Sequence, residues 1–123
     1  MNTIDNMKYT AKKQTGTMSG GKWIRPEKRL AIYLRDEFHC VYCGQNLHNA
    51  DAFNITLDHV KTRSAGGNNS ETNLITACRS CNSARGDKKI NEWADTSTRK
   101  SIRRQTARKL ARYLKLAKSI LEG

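Results

Sequence analysis

The sequence predicts a small α+β domain whose fold leans on a bound metal. Three observations predict it. Four cysteines fall as two pairs, Cys40-x-x-Cys43 and Cys78-x-x-Cys81. Two short β-prone runs, Ile55-Thr56-Leu57 and Leu74-Ile75-Thr76, lie between the pairs. Helical periodicity marks the chain on either side of them.

The metal requirement starts from size and composition. The chain has 123 residues, of which 37% are apolar and 7% aromatic, a lean supply for a core. Domains this small and polar commonly need a metal, disulfides or a partner. With 23 Lys and Arg against 11 Asp and Glu, the net charge is +12, which points to a polyanionic partner, nucleic acid first among them. A large multi-domain enzyme and a dinucleotide-binding fold are excluded by length. No run approaches the ~18–20 apolar residues of a membrane span. Residues 1–10 lack an apolar leader-like stretch, so a cytoplasmic, reducing location is expected.

In such a compartment disulfides are rare, and free thiols or another metal are the lesser alternatives. Two residues between cysteines let both thiolates of a turn reach one ion, and two such turns make a four-cysteine zinc site. Cys40, Cys43, Cys78 and Cys81 are therefore expected to hold a structural Zn²⁺. Four thiolates leave no open position for water, so this ion supports the fold and does no chemistry. The 34 residues between Cys43 and Cys78 exceed the spacing of about 15–20 typical of a zinc ribbon.

Taken in order, residues 1–22 are rich in Thr, Ser, Gly, Asn and Lys and are expected to be disordered. Residues 23–95 form the zinc-containing domain. Pro26 suits the first turn of a helix running to about Glu37 and ending near Phe38. After the first strand, 64–72 reads as a loop with Gly66-Gly67-Asn68-Asn69 at its tip. A short helix from about Arg79 stops near Gly86, and Asp87 is placed to cap another turn carrying Ile90 and Trp93. Trp23 and Trp93 are expected in the core and His48 in a solvated loop. Residues 96–123 are read as a basic amphipathic segment whose main body is one long helix over 98–121, capped by Ser97 or Thr98. Leu110, Tyr113, Leu114, Ala117, Ile120 and Leu121 form its apolar stripe. From Arg99 onward it carries nine Lys or Arg against one Glu.

The segment between the cysteine pairs holds the chemistry. Leu57-Asp58-His59-Val60 closes the first strand, Asn73-Leu74 opens the second, and Cys78-Arg79-Ser80-Cys81-Asn82 follows. In this order, with Arg35-Asp36 ahead of Cys40-Val41-Tyr42-Cys43-Gly44 and with Gly66-Gly67, the chain from about Arg29 to Trp93 resembles the HNH endonucleases, the ββα-metal (His-Me) finger nucleases. The resemblance implies a ββα-metal finger stabilised by the four-cysteine zinc site, with flanking helices and the long basic C-terminal helix. It implies that His59 activates water, that Asn73 fixes the histidine and its loop, and that Asp58 and Asn82 hold one divalent cation beside the scissile phosphate. The products would carry a 5′ phosphate and a 3′ hydroxyl.

The residue types suit those roles. Neutral imidazole can take a proton near neutrality. A carboxylate and an amide oxygen suit Mg²⁺ or Mn²⁺. Asn82 stands where histidine is common in the family, so softer metals should bind less well. The usual proline after the Asp-His pair is absent from Val60-Lys61-Thr62-Arg63. Asp58 and His59, adjacent in a strand, would face opposite ways unless the strand ends there.

Lys61, Arg63, Arg85, Lys88, Lys89, Arg99, Arg103 and Arg104 are the expected phosphate contacts. DNA is the expected partner, with a protein partner or a homodimer directing cleavage, in a bacterial cell or phage-infected host. His39 is a conceivable zinc ligand that four cysteines make unnecessary. Two further readings stand beside the nuclease: a non-catalytic zinc-stabilised DNA-binding module, and an RNA-directed protein. The absence of aromatics interleaved with the basic residues disfavours the latter.

Overall fold

The computed structural model describes residues 24–123, so the expectations for residues 1–22 and for Trp23 lie outside the described residues. Helix α1 spans Pro26–Arg35, with proline at its start and Glu27 in the first turn, where the helix dipole favours a negative charge. It stops two residues before Glu37. Glu37 and Phe38 both take left-handed backbone conformations, at φ 55° and 54°, and the Phe38 N–H returns to Tyr33 O at 2.8 Å. The turn drives the Phe38 ring into the core, 1% exposed, and sends the chain into the first cysteine pair.

Strands β1 (Ile55–His59) and β2 (Leu74–Cys78) pair antiparallel, with Ile55 opposite Cys78 and His59 opposite Leu74. Both run two residues further than the β-prone triplets alone indicate. All of β2 is buried. Helix α1 contacts it, and α2 (Arg79–Arg85) contacts both strands. Strand, strand and helix form the expected ββα unit. The short α3 (Ile90–Trp93) follows, with Lys89 rather than Asp87 at its N-cap. Trp93 is half-buried and meets the Tyr42 ring edge-on, with centroids 4.7 Å apart. His48, expected in solvent, is half-buried and stacks on Phe38 at 5.2 Å.

The C-terminal segment is two helices, not one. Helix α4 spans Thr96–Thr106 and α5 spans Ala111–Glu122. The N-cap is Asp95, whose carboxylate accepts the Thr98 N–H at 2.8 Å. That bond holds the Asp95 carboxyl below its ordinary value. The break between the helices has a packing cause. Helix α4 turns Ile102 inward and sends Gln105 to Asp36 and Arg35 O, whereas α5 lays Ala117 along α1, with Leu110 buried just ahead of it. A straight helix cannot present both faces to their separate targets. Thr106 Oγ1 also donates back to Ile102 O at 2.9 Å, a bond that tends to bend a helix. Among the described residues, no helix is long and apolar enough to cross a membrane.

Candidate metal centre and catalytic site

The four thiols converge. Their sulfur atoms all lie within 4.8 Å of one another, and Cys43 Sγ is 3.9 Å from Cys78 Sγ. Zinc–sulfur bonds of about 2.3 Å place the corners of a tetrahedron about 3.8 Å apart, so the cluster fits a zinc ion. Its corners differ in exposure: Cys40 and Cys78 are buried, Cys81 is half-buried and Cys43 is exposed. Burial pushes the Cys40 thiol up to about 11 and raises Cys81 well above the usual thiol range. Burial also raises Cys43, but hydrogen bonds from Gln45 N–H and the neighbouring cysteines outweigh it and leave the thiol below its ordinary value. His39 stands outside the cluster, its Nδ1 on Glu37 O at 2.7 Å.

The knuckle also carries a residue that the motif reading missed. Tyr42, between Cys40 and Cys43, donates its hydroxyl to Asp58 Oδ2. Burial and the neighbouring carboxylate raise its phenol strongly. Arg85 Nη1 holds the same Asp58 oxygen at 3.0 Å. Its guanidinium also reaches His59 O and, at 2.8 Å, Val60 O. Arg85 Nε donates to Lys88 O at 2.6 Å. Arg85 is 1% exposed, so the expected phosphate contact is corrected: its donors are committed within the protein.

Asn82 lies on the helix face that covers Thr56 and Asp58. Its Nδ2 donates to Thr56 Oγ1 at 2.9 Å and to Leu57 O at 3.3 Å. Asn82 Oδ1 and Asp58 Oδ1 carry no hydrogen bond, and neither is a buried orphan. Among the described residues only Thr76 Oγ1 is sealed without a partner. One carboxylate oxygen and one amide oxygen thus remain as hard donors of the kind Mg²⁺ or Mn²⁺ takes.

His59 is the last residue of β1, where the strand gives way to the loop. Its ring does not touch Asn73. Nε2 lies 2.8 Å from Asn69 Oδ1. Asn73 instead staples the loop: its Oδ1 accepts Lys61 N–H at 2.8 Å, and its Nδ2 donates to Lys61 O at 3.0 Å and Asn68 O at 2.9 Å. No local signal in the sequence distinguishes Asn69 from Asn68 beside it, so the histidine's partner was not legible there.

Of the remaining cations, Lys61, Arg63, Lys88, Lys89, Arg103 and Arg104 are exposed. Arg99 is half-buried, its guanidinium on Ala94 O at 2.6 Å and Thr96 Oγ1 at 3.2 Å.

Residues 40–88 match the family model described as HNH endonuclease. The matched stretch spans both cysteine pairs, both strands and α2, and over it the chain is similar to that nuclease family. No curated protein and no solved structure matches the chain.

Proposed function

We propose that this protein is a metal-dependent endonuclease that hydrolyses DNA phosphodiester bonds and leaves a 5′ phosphate and a 3′ hydroxyl. One observation carries the reading. Within the matched stretch, a histidine with an uncommitted ring nitrogen ends the strand whose preceding carboxylate shares a helix-covered face with Asn82.

His59 takes the proton of the attacking water. Asp58 Oδ1 and Asn82 Oδ1 hold a divalent cation, Mg²⁺ or Mn²⁺ by donor type, which when bound stabilises charge on the scissile phosphate and the leaving oxygen. Tyr42 and Arg85 fix the Asp58 carboxylate through its other oxygen, so that Oδ1 keeps its orientation. Asn73 keeps the loop after His59 in one conformation. The exposed Lys61, Arg63, Lys88, Lys89, Arg103 and Arg104 supply phosphate contacts and the salt-dependent part of affinity.

A second reading has one observation in its favour. The Arg85 guanidinium already neutralises Asp58, which weakens that carboxylate's hold on a further cation. A zinc-stabilised DNA-binding module without catalysis is the function that this ion pair favours.

Supercoiled-plasmid cleavage by zinc-loaded protein separates the two. The nuclease reading expects nicking or linearisation in Mg²⁺ or Mn²⁺ and none in EDTA. It expects a fall of roughly 10²–10⁴-fold in His59→Ala, the usual contribution of a general base. Plasmid that is shifted but uncut by folded, zinc-loaded protein supports the second reading.

A further inference from the structure

We propose that Asn69 is the positioning residue of His59. It holds the imidazole in the tautomer protonated at Nε2 and so leaves the lone pair of Nδ1 to accept the proton of water. The proposal rests on the nuclease reading for its use and on the hydrogen-bond geometry for its substance.

The amide oxygen of asparagine is an acceptor only. At 2.8 Å from it, His59 Nε2 is the donor and carries the proton. The other ring nitrogen must then hold the lone pair. His59 Nδ1 makes no hydrogen bond and is not sealed in the interior. The chain's other two histidines are arranged the opposite way. His39 Nδ1 sits on Glu37 O at 2.7 Å, and His48 Nδ1 sits on Asn46 Oδ1 at 2.8 Å. His59 alone among the three is fixed through Nε2.

Asn69 is itself tied down. Its backbone oxygen accepts Lys28 Nζ from α1 at 2.6 Å. Lys28 also pairs with Glu71 two residues further along, at 3.9 Å. On the other side, Asn68 O accepts from Asn73, and Asn68 Oδ1 accepts Ser70 N–H at 3.0 Å. The loop therefore offers the imidazole an acceptor whose place is set by α1 and by Asn73. Asn73 acts on the loop and Asn69 on the ring, a division of labour between two asparagines four residues apart.

The test reads the ring directly and does not require turnover. In zinc-loaded, ¹⁵N-labelled protein without DNA, the wild type should show a one-bond proton–nitrogen correlation for His59 Nε2–H, slowed in exchange by its hydrogen bond. His39 and His48 should show Nδ1–H patterns instead. Asn69→Ala should lose the His59 signal and lower the plasmid-cleavage rate constant about tenfold, with the KM for DNA within about twofold of wild type. Asn69→Asp, which keeps an oxygen acceptor, should restore both the signal and most of the rate.

Persistence of the Nε2–H signal in Asn69→Ala overturns the proposal. So does loss of the signal with an unchanged cleavage rate. Should the alanine variant fail to load zinc, Asn69→Leu fills the same space without an acceptor, and the same expectations apply to it. If the wild-type protein cleaves nothing, the nuclease reading fails, while the Nε2–H signal still decides whether Asn69 holds the ring.

Discussion

The Asp36 carboxylate accepts from four donors drawn from three parts of the chain. Arg35 Nε and Nη2 approach at 2.8 and 3.1 Å, Thr76 N–H at 2.9 Å and Gln105 Nε2 at 3.1 Å. Arg35 continues to Glu71 O and Leu74 O, so the pair ties α1 to β2, to the turn before it and to α4. Both side chains are fully buried. Removing one partner strands the other charge without water. Asp36→Ala should therefore cost about 3–5 kcal/mol of stability, read from urea or thermal unfolding of the zinc-loaded protein. Nothing in the Arg35-Asp36 dipeptide announces this burial, since adjacent opposite charges are ordinary on surfaces. Motif residues behave differently. His59, Asp58, Asn73 and Asn82 stand out as candidates because their types and order are informative, although the ring of His59 meets Asn69 and not Asn73. Tyr42 and Asn69 do not, because their importance is a matter of which side chain they meet.

At the scale of elements, the loop between β1 and β2 is a stapled structure rather than a flexible connection. Gly67 shows how closely. A Cβ placed there would lie 1.8 Å from Lys61 O and 2.9 Å from Asn73 Nδ2. Gly67→Ala must therefore push apart the contacts through which Asn73 holds the loop. The variant should lose roughly 1–3 kcal/mol by overpacking. Its plasmid cleavage should fall far more than its zinc content, because the loop that moves contains no zinc-binding cysteine. Both quantities can be measured on one preparation. The strands, α1 and α2 were legible from β-propensity, Pro26 and the cysteine spacing. The split of the C-terminal helix was not. The basic run from Arg99 to Lys118 keeps helical periodicity throughout, and only the location of two separate docking faces, around Ile102 and Ala117, shows why it must break.

For the whole molecule, a core fed by 37% apolar residues is expected to depend on a metal held by the four converging thiols. Chelation of zinc should abolish the cooperative thermal transition and much of the helical circular dichroism, and restored zinc should return both. Zinc takes cysteine as thiolate, so uptake should also release protons into an unbuffered solution, and affinity should rise with pH. The net charge of +12 was plain in the composition. Its use was less so. Arg85 and Arg99 count toward the total, yet the first is spent wholly on internal bonds and the second largely on the start of its own helix.

The two cysteine pairs have a bearing on how the chain reaches this structure as well as on how it stays there. Cys78 is the last residue of β2 and lies opposite Ile55 in the sheet. Were both knuckles to capture an ion before the strands form, the 34-residue span between them would already be closed. The entropy of that closure is then no longer charged to strand pairing. A hairpin with a long connection becomes, kinetically, a nearly local one. Metal supply would thus govern the rate at which new chains mature, and a chain emerging where zinc is scarce would linger with its strands out of register.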